Sequence, residues 1–585
     1  MKTHTLPPGA NRDGYALVMV MLITAMALLV LSGAMNWTSQ TSVLNERNNQ
    51  LSTSLFAAEA ATEKILTRMA RDYETSGDAT VFANIATYRA LVPTTNESSY
   101  WANFQFSDAQ GGNGASYVQR TATASYVPLE SVYSGLNGFA TTYRIISNAR
   151  QTNGRFNLTN AVQQEIQLAS IPVFQFAIFY NSLLEFTWAA PFTVRGRVHA
   201  NNNIYTGSSQ PLSFSSDVTA TGIIEKRTWG GYNISAMSGS ITYSGQKETN
   251  VVSLTLPIGT NNTAAAVREI LNQPPTGESS SSAVGQQRYF NKAELQVLVS
   301  NSTVTVTVQQ PFDAAPVTIP WVQVTNFVRT NVSFTDQREG KTTKTTEIDV
   351  GKLTTWAATN VLVIAKLGAG VPPNLLYVAD NRTVTSSQIA VVRLVNAQTL
   401  PSRGLTVATS NPLYVKGHYN CPTSAHLGTT NTTNTKPASL VSDAITILSP
   451  AWSDAASSGS FTSRDASATT VNAAILTGDV DSAGSTGSSP FSGGVMNLPR
   501  LLEDWGNGSV HLTVNGSMVN MFNSVRATAP WQTPGTYYYA PTRDFNFDNN
   551  FLDPAKQPPG TPSLRALIRS KWLNPMPNST NYAGY

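Results

Sequence analysis

Three side chains that can bind zinc lie close together in the last third of the sequence. His418, Cys421 and His426 place two imidazoles and a thiol within nine residues, and nitrogen and sulfur ligands of these types bind zinc. No fourth ligand is evident, and the spacing fits no familiar zinc module. A turn that contains a buried thiol is therefore favoured, and we expect no metal here.

Oxygen-bearing side chains alternate near the C-terminus, a pattern that can bind calcium. These side chains belong to Asp544, Asn546, Asp548 and Asn550. An EF-hand loop needs Gly at its sixth position and Glu at its twelfth, where this chain has Asn549 and Ala555. The pattern favours a strand edge, with calcium binding as the alternative.

The sequence contains none of the usual catalytic motifs. Its five histidines are not part of a metalloprotease, serine hydrolase, P-loop or dinucleotide-binding pattern. The paired carboxylates Glu503 and Asp504 are neighbours, so their side chains point to different faces. We expect no catalytic residue, no cofactor and no enzymatic activity. Enzymes that act on polysaccharides can also build sites from distant coils of a β-helix, so that alternative stays open.

Charge and cysteine content limit the classes of function. The 585 residues include 38 basic and 34 acidic side chains, a formal charge of +4, without a dense basic run. Nucleic-acid binding is therefore not expected. One cysteine allows no intramolecular disulfide, and a chain of this length can bury its own core without one.

An apolar run near the N-terminus determines on which side of a membrane the rest of the chain lies. From Tyr15 to Ala34 about 20 residues carry no charge, enough for a helix to cross a bilayer core of roughly 30 Å. Lys2 and Arg12 precede it, which favours a cytoplasmic N-terminus and an exported C-terminal part. The run is longer than the core of an ordinary secretory signal. We expect one pass through the inner membrane.

The helix is predicted to continue well beyond the membrane. Neither Pro nor Gly occurs between Met35 and Glu74, which allows a rod of about 60 residues, or roughly 90 Å. Its apolar stripe needs a partner along its length. The stripe and its flank comprise Leu44, Leu51, Leu55, Ala58, Glu59, Leu66 and Met69. A stalk helix that packs on its own domain is one alternative, and a helix that assembles with other subunits is the other.

The start of this helix resembles the class III leader of type IV prepilins. Arg12, Asp13 and Gly14 are followed at once by the apolar run that begins at Tyr15. In that family a prepilin peptidase cuts after the Gly, so the resemblance implies cleavage between Gly14 and Tyr15. The Ala-Glu-Ala segment around Glu59 is similar to that of PilX-like minor pilins. The resemblance covers residues 12–72.

One departure from the family affects the predicted role. Major pilins have Glu at the fifth mature position, and counting from Tyr15 places Met19 there. This argues against a shaft subunit. The partners that the resemblance implies are the inner membrane, other pilin subunits bound through the N-terminal helix, and the prepilin peptidase.

The remainder of the chain has the period of β-strands. Short alternating segments punctuated by Gly and Asn, such as 192–205, 404–420 and 510–519, are typical of stacked coils. The predicted fold class is α+β, mainly β: a long N-terminal membrane and assembly α-helix followed by a β-rich ectodomain with an irregular β-helix or solenoid part. The expected segments are a leader (1–14), the helix (15–75), a pilin-like β region (76–185), a solenoid-like part (186–495) with an insertion at about 225–360, and an aromatic-rich capping region (496–585).

Aromatic side chains gather in that last region. Trp505, Trp531 and Trp572 accompany three consecutive tyrosines, and such a group can plug an open coil end or form a sugar-binding platform. The plug is favoured.

Together these features predict a minor pilin-like structural and adhesive subunit of a type IV pilus or secretion pseudopilus. Its ligand is an unknown surface or carbohydrate, and its final location is on the pilus at the cell surface. The alternative is a membrane-anchored β-helix protein that binds or degrades polysaccharide.

Overall fold

The computed structural model of this chain describes residues 13–108, 112–186, 191–227, 237–482 and 490–577. Most of these residues form strands and loops, and one helix is far longer than the others. The α-helices are α1 (Asp13–Ser76), α2 (Asp78–Ala83), α3 (Ile85–Arg89), α4 (Ala264–Arg268), α5 (Ala283–Gln287), α6 (Tyr289–Lys292), α7 (Val350–Thr359) and α8 (Val361–Leu367).

Helix α1 has two parts with different surroundings. Its 64 residues span about 96 Å. From Tyr15 to Asn49 every side chain is exposed except that of Val43, which is half-buried. From Gln50 to Tyr73 one face is buried against strands of the same chain. We call residues 15–49 the exposed segment of the helix and residues 50–76 its packed segment.

The packed segment lies on an antiparallel sheet, the head sheet, whose last strand comes from the C-terminus. Its strands are β1 (Phe104–Ser107), β2 (Tyr117–Pro128), β3 (Asn137–Gln151), β4 (Thr159–Pro172) and β33 (Ser563–Leu573). The order is β1-β3-β4-β33, and β2 also pairs with β3. Ala566 of β33 pairs with Ala169 of β4. The head sheet therefore combines strands from residues 104–172 with a strand from residues 563–573, and the residues between β4 and β33 form an insertion.

The inserted part is built around a twelve-stranded sheet, the main sheet of a parallel stack. Its parallel strands are β5 (Ile178–Tyr180), β8 (Val198–Ala200), β11 (Val218–Ala220), β14 (Lys247–Glu248), β15 (Leu295–Val299), β21 (Leu375–Asp380), β23 (Leu405–Ala408), β25 (Ala438–Ser442), β28 (Ala474–Thr477) and β31 (Met518–Asn520). Two antiparallel strands, β16 (Val304–Val308) and β17 (Val317–Ile319), extend its edge beyond β15.

Four smaller sheets form the other sides of the stack. One contains β18 (Val328–Val332), β19 (Thr335–Asp336), β20 (Lys341–Asp349), β22 (Gln388–Val395), β24 (Leu413–Lys416), β26 (Ile445–Leu448) and β29 (Pro499–Arg500). Three have three strands each: β6 (Leu184–Glu185), β9 (Ile204–Tyr205) and β12 (Ile224–Glu225); β7 (Phe192–Val194), β10 (Leu212–Phe214) and β13 (Ile241–Tyr243); and β27 (Thr469–Asn472), β30 (His511–Gly516) and β32 (Thr542–Phe547).

The chain builds the main sheet in two runs that converge. The first run, β5 to β14, extends one end of the sheet. The second begins with β15 at the opposite end and returns through β21, β23, β25 and β28 to β31. The runs meet where Met518 pairs with Ile178. Thus strands more than 300 residues apart in sequence become neighbours.

One ladder of apolar side chains crosses nine strands of the main sheet, from β15 to β11. Successive partners in register are Leu295, Leu376, Val407, Leu440, Ile475, Met518, Ile178, Val198 and Val218. All are buried inside the stack. The opposite face of the sheet, which includes Phe179 and Val519, packs with residues of the head sheet such as Ile171 and Leu564. The sheet is therefore buried on both faces, as is usual for parallel strands.

The predicted fold class is confirmed: a long N-terminal helix precedes a part that is mainly β. The predicted segments stay predictions, and the pairing of the strands does not follow them. Strands β30 to β32 of the expected capping region lie within the stack, and β33 belongs to the head sheet. The expected insertion at 225–360 supplies strands β13 to β20. The physical reason is that coils are ordered by apolar stacking, which does not follow their order in sequence.

Candidate functional site

The exposed segment of α1 is the largest apolar surface of the described chain. In the described residues, one helix is long and apolar enough to cross a membrane, and it spans Tyr15–Ser76. Its most apolar 18-residue window has a mean hydropathy of 2.5, and no part of that window is buried. Leu29 is 74% exposed and Trp37 is 73% exposed. Apolar surface of this extent needs a lipid or protein partner.

The predicted cleavage bond lies at the beginning of this helix. Asp13 and Gly14 are its first two described residues, and residues 1–12 of the expected leader lie outside the described residues. Tyr15 is 82% exposed and Met19 is 63% exposed. After Asp13 the next carboxylate is Glu46, so the membrane-length part of the helix has no acidic side chain.

The residues proposed for the assembly helix fall into two groups. Leu44 is exposed, and Leu51, Leu55 and Glu59 are half-buried. By contrast, Ala58, Leu66 and Met69 are buried on the chain's own head sheet. For these three the contact is internal, as in the stalk-helix alternative, and the part of the stripe without such a contact lies in the exposed segment. Small side chains at Ala57 and Ala58 let the helix lie close to the sheet.

Polar contacts fix the packed segment on the head sheet. Gln164 on β4 donates from Nε2 to Thr62 Oγ1 over 2.9 Å and to Glu63 Oε1 over 2.8 Å. Arg569 on β33 binds both oxygens of Glu63 at 2.6 and 2.7 Å. Lys64 donates to the carbonyl of Val92 over 2.7 Å. These contacts determine the direction in which the exposed segment leaves the head.

His418, Cys421 and His426, where the sequence predicts no metal, contact different neighbours. His418 Nδ1 accepts a hydrogen bond from the Thr470 backbone over 3.2 Å, and His426 contacts Asn431. Cys421 is buried, which raises the pKa of its thiol. In the described residues no group of three metal-binding side chains could hold an ion. The expected turn with a buried thiol describes this loop.

The alternating oxygen ligands lie along β32 and the turn after it. Asp544 contacts His511 Nδ1 at 2.7 Å, and Asn546 donates to Asn515. Asp548 Oδ1 accepts from the backbone of Asn550 over 3.0 Å. Asp544 and Asn546 contact different residues of β30, whereas Asp548 and Asn550 both hydrogen-bond to Thr432. Strand β32 pairs with β30 along one side, as at a strand edge.

The paired carboxylates lie in different environments. Glu503 is fully buried and accepts hydrogen bonds from the backbone and hydroxyl of Ser449 at 2.7 and 2.6 Å. Burial raises the pKa of Glu503 to about 7, although the Ser449 hydrogen bonds oppose the shift. Asp504 instead accepts from the backbone of Gly506. The two carboxylates therefore do not face a common site, as a catalytic acid and base would.

The three tryptophans of the C-terminal region do not form one cluster. Trp505 is fully buried in the stack, and Trp572 is 47% exposed on β33. Trp531 lines a cavity of about 660 Å³ together with Tyr538 and Arg543. Sequence reasoning missed Arg543. The sequence contained a sign of its importance. Arg543 alternates with Phe545 and Phe547 along β32, so an arginine stands at a position where the rest of that strand face is apolar.

Comparison with known proteins gives little information about this chain. No protein family and no curated protein matches its sequence. Among solved structures, the competence-associated pilin ComZ from Thermus thermophilus is matched with 11% identity over 90% of this chain and 98% of that chain, at a TM-score of 0.25. At that TM-score the match carries no argument about fold or function.

Proposed function

We propose that this chain is a pilin-like subunit of a type IV pilus or a related secretion pseudopilus. The observation that carries the proposal is the division of α1. Its exposed segment is apolar over a membrane length, and its packed segment is held rigidly on an antiparallel sheet. A helix built this way can anchor the subunit in the inner membrane and later pack among the helices of other subunits.

Leader removal is part of this proposal. A prepilin peptidase at the cytoplasmic face would cut between Gly14 and Tyr15, which frees the apolar helix from its charged N-terminus. The finer assignment is a PilX-like minor pilin. It is supported by the Glu59 segment and by Met19 at the position where shaft subunits have a carboxylate.

The size of the inserted stack supports a role at or near the fibre tip. Packed helices lie about 8–10 Å apart, whereas a compact head of about 510 residues is roughly 60 Å across. Heads of this width would clash if every subunit of a packed helical core carried one. We interpret the stack as an irregular β-helix that is displayed at the cell surface for adhesion, where a terminal position leaves it room.

The mature N-terminus tests the proposal. We would sequence the N-terminus of the full chain from membrane and sheared-fibre fractions of cells with an active prepilin peptidase. The proposal predicts Tyr15 as the first residue, and Gly14→Leu should trap the precursor. Gly33→Leu is the matched control, because a side chain there meets nothing within 4 Å, so processing should continue. Retention of residues 1–14 by the unaltered chain would indicate a plain membrane anchor.

A further inference from the structure

The two converging runs of the stack leave a seam on one side. In the main sheet β31 and β5 close the junction by pairing. On the side formed by β32 and β7, no ladder joins the runs in the described residues; β32 pairs only with β30, and β7 only with β10. The rings of Phe545 and Phe192 approach across this gap at 6.2 Å.

Two cavities adjoin along this seam, and we call them together the seam groove. Each has a volume of about 660 Å³, and Pro191 and Arg543 line both. The first has aromatic walls that include Trp531 and Tyr538. The second is lined by threonine and asparagine side chains, by Arg195, and by Asp544, whose carboxylate contacts His511. Volumes of this order are typical of small-molecule sites.

Arg543 occupies an inward position where the neighbouring residues are apolar. Its partner in register, Leu512, is fully buried. Its Nη2 donates to Asn497 Oδ1 over 2.7 Å, whereas its Nε is buried with no hydrogen-bond partner in the described residues. Burial lowers the pKa of Arg543, and interactions with Tyr538 oppose that shift.

No carboxylate neutralises this cation. Neither Arg543 nor Arg195 forms an ion pair in the described part of the chain. The segments outside the description contain no Asp or Glu, so they supply no acidic side chain either. Arg195 is exposed and Arg543 is half-buried, with its Nε buried and unpaired. Withdrawing part of a charged group from water without a partner is costly, and an anion in the groove would reduce that cost for Arg543.

The aromatic wall is fixed before any ligand binds. Trp531 donates from Nε1 to the Tyr538 hydroxyl over 2.9 Å, and its backbone N–H donates to Phe491 over 2.8 Å. Gly493 has a φ of +89°, and a Cβ there would lie 2.6 Å from Trp531 Cγ. The close approach therefore requires glycine. Preorganised walls reduce the entropy lost on binding.

We propose that the seam groove binds a carboxylate-bearing sugar of an acidic polysaccharide. Arg543 binds the carboxylate, because a guanidinium fork matches its two oxygens. The half-exposed ring of Trp531, held by the buried Tyr538, contacts the apolar face of the sugar. Threonine and asparagine side chains of the second cavity bind its hydroxyl groups. Arg195 lines the same groove and binds the carboxylate of a second sugar unit. This ligand class rests on the proposed surface display of the stack.

A nucleic-acid strand fits the groove less well. Nucleic-acid grooves are lined by many basic side chains that follow the phosphates, whereas the lining of this groove has two arginines. The chain also has no basic run that could follow a strand.

Calorimetric titration of the full chain in detergent micelles tests the proposal. The probes are oligogalacturonate, alginate oligomers and hyaluronate oligomers, with fully methyl-esterified oligogalacturonate as the uncharged match and single-stranded oligothymidylate as the nucleic-acid probe. We expect binding of at least one acidic sugar, weaker binding at higher salt, and no binding of the ester.

Variants then connect the binding to the groove. Arg543→Gln should weaken it about tenfold to a hundredfold, and Arg543→Lys less, because charge remains while the fork is lost. Trp531→Ala should weaken it too. Arg526→Gln and Trp572→Ala, which alter exposed side chains outside the groove, are the controls and should bind as the unaltered chain does. Thermal unfolding of each variant, followed by circular dichroism, separates lost binding from lost folding.

Several outcomes would overturn the proposal. These are binding that Arg543→Gln and Arg543→Lys leave unchanged, equal binding of the ester, absence of binding to all the acidic sugars, or a preference for oligothymidylate, which would indicate a nucleic-acid groove. Leader processing and fibre assembly do not depend on this site. A failed titration with a normally processed chain therefore overturns the ligand and leaves the pilin-like function intact.

Discussion

Arg569, near the C-terminus, binds Glu63 of the N-terminal helix through two parallel hydrogen bonds of 2.6 and 2.7 Å. The two residues are 506 positions apart in sequence. Their contact joins β33 to α1 across the edge of the head sheet. The contact is possible because β33, the last strand of the described residues, forms an edge of the head sheet.

We expect the Arg569–Glu63 pair to contribute little stability by itself. Both side chains are partly exposed, and exposed ion pairs typically contribute about 0.2–1 kcal/mol. Arg569→Ala should lower the free energy of unfolding by no more than that, and the difference should shrink at high salt. Urea unfolding at two salt concentrations measures both effects. A loss above about 2 kcal/mol would contradict this expectation.

Apolar burial of β33 should contribute far more than its ion pair. Ile568 is 1% exposed and packs in the core shared by the head sheet and the stack. Ile568→Ala should cost about 2–5 kcal/mol. Leu573→Ala in the same strand is the control, since Leu573 is 42% exposed. Equal effects of the two substitutions in urea unfolding would show that this core is not shared.

Removal of β33 should expose both parts of the molecule to proteolysis. A chain that ends after residue 562 leaves the edge of β4 unpaired and uncovers the core behind the main sheet. A chain that ends after residue 577 keeps the strand and is the control. Limited proteolysis should cleave the first within the stack and leave the second intact. Equal resistance of both chains would argue that the stack does not need the head sheet.

The two parts of α1 should respond differently to substitution. Ala58 is fully buried against the head, so Ala58→Leu should overpack that contact and lower the free energy of unfolding by about 1–3 kcal/mol. Leu44 is 55% exposed, so Leu44→Ala should leave unfolding unchanged and reduce incorporation into fibres. Urea unfolding and the amount of subunit in sheared fibres measure the two effects. If Leu44→Ala lowered the free energy of unfolding and Ala58→Leu did not, the division of α1 into an exposed and a packed segment would be wrong.

Stability should depend on pH through Glu503. Its folded pKa is about 7, above the model-peptide value of about 4.3, so the folded chain binds a proton that the unfolded chain releases between these values. The contribution is fully present below about pH 4 and is lost as pH rises through 7, with a slope of at most about 1.4 kcal/mol per pH unit. Nearby Arg464 and Lys416 oppose the shift.

The variant Glu503→Gln isolates this contribution. Relative to the unaltered chain, it should gain stability steadily from pH 4.5 to pH 7.5, because an amide does not ionise. Urea unfolding at several pH values gives the difference curve. A flat curve, or one that falls with pH, would show that Glu503 is ionised in the folded chain.

The local elements of this protein could be predicted from its sequence. The apolar run from Tyr15 and the absence of Pro and Gly between Met35 and Glu74 predict the long helix, which ends at Ser76. The short segments bounded by Gly and Asn predict strands. Strands β7 to β9, β23, β24 and β30 lie within them, and β31 extends one residue beyond. These features depend on the hydrogen bonding and burial of nearby residues, which local composition determines.

Which strands become neighbours was decided only by the tertiary structure. Nothing in the composition of Met518–Asn520 indicates that it pairs with Ile178–Tyr180, or that Ser563–Leu573 completes the head sheet. The seam groove follows from the first pairing, because Arg543 and Trp531 face Pro191 only after the two runs have met. The physical reason is that apolar strands stack through backbone hydrogen bonds and side-chain burial that many partners can satisfy. The length of each loop and the packing of the whole core therefore select the order of the coils.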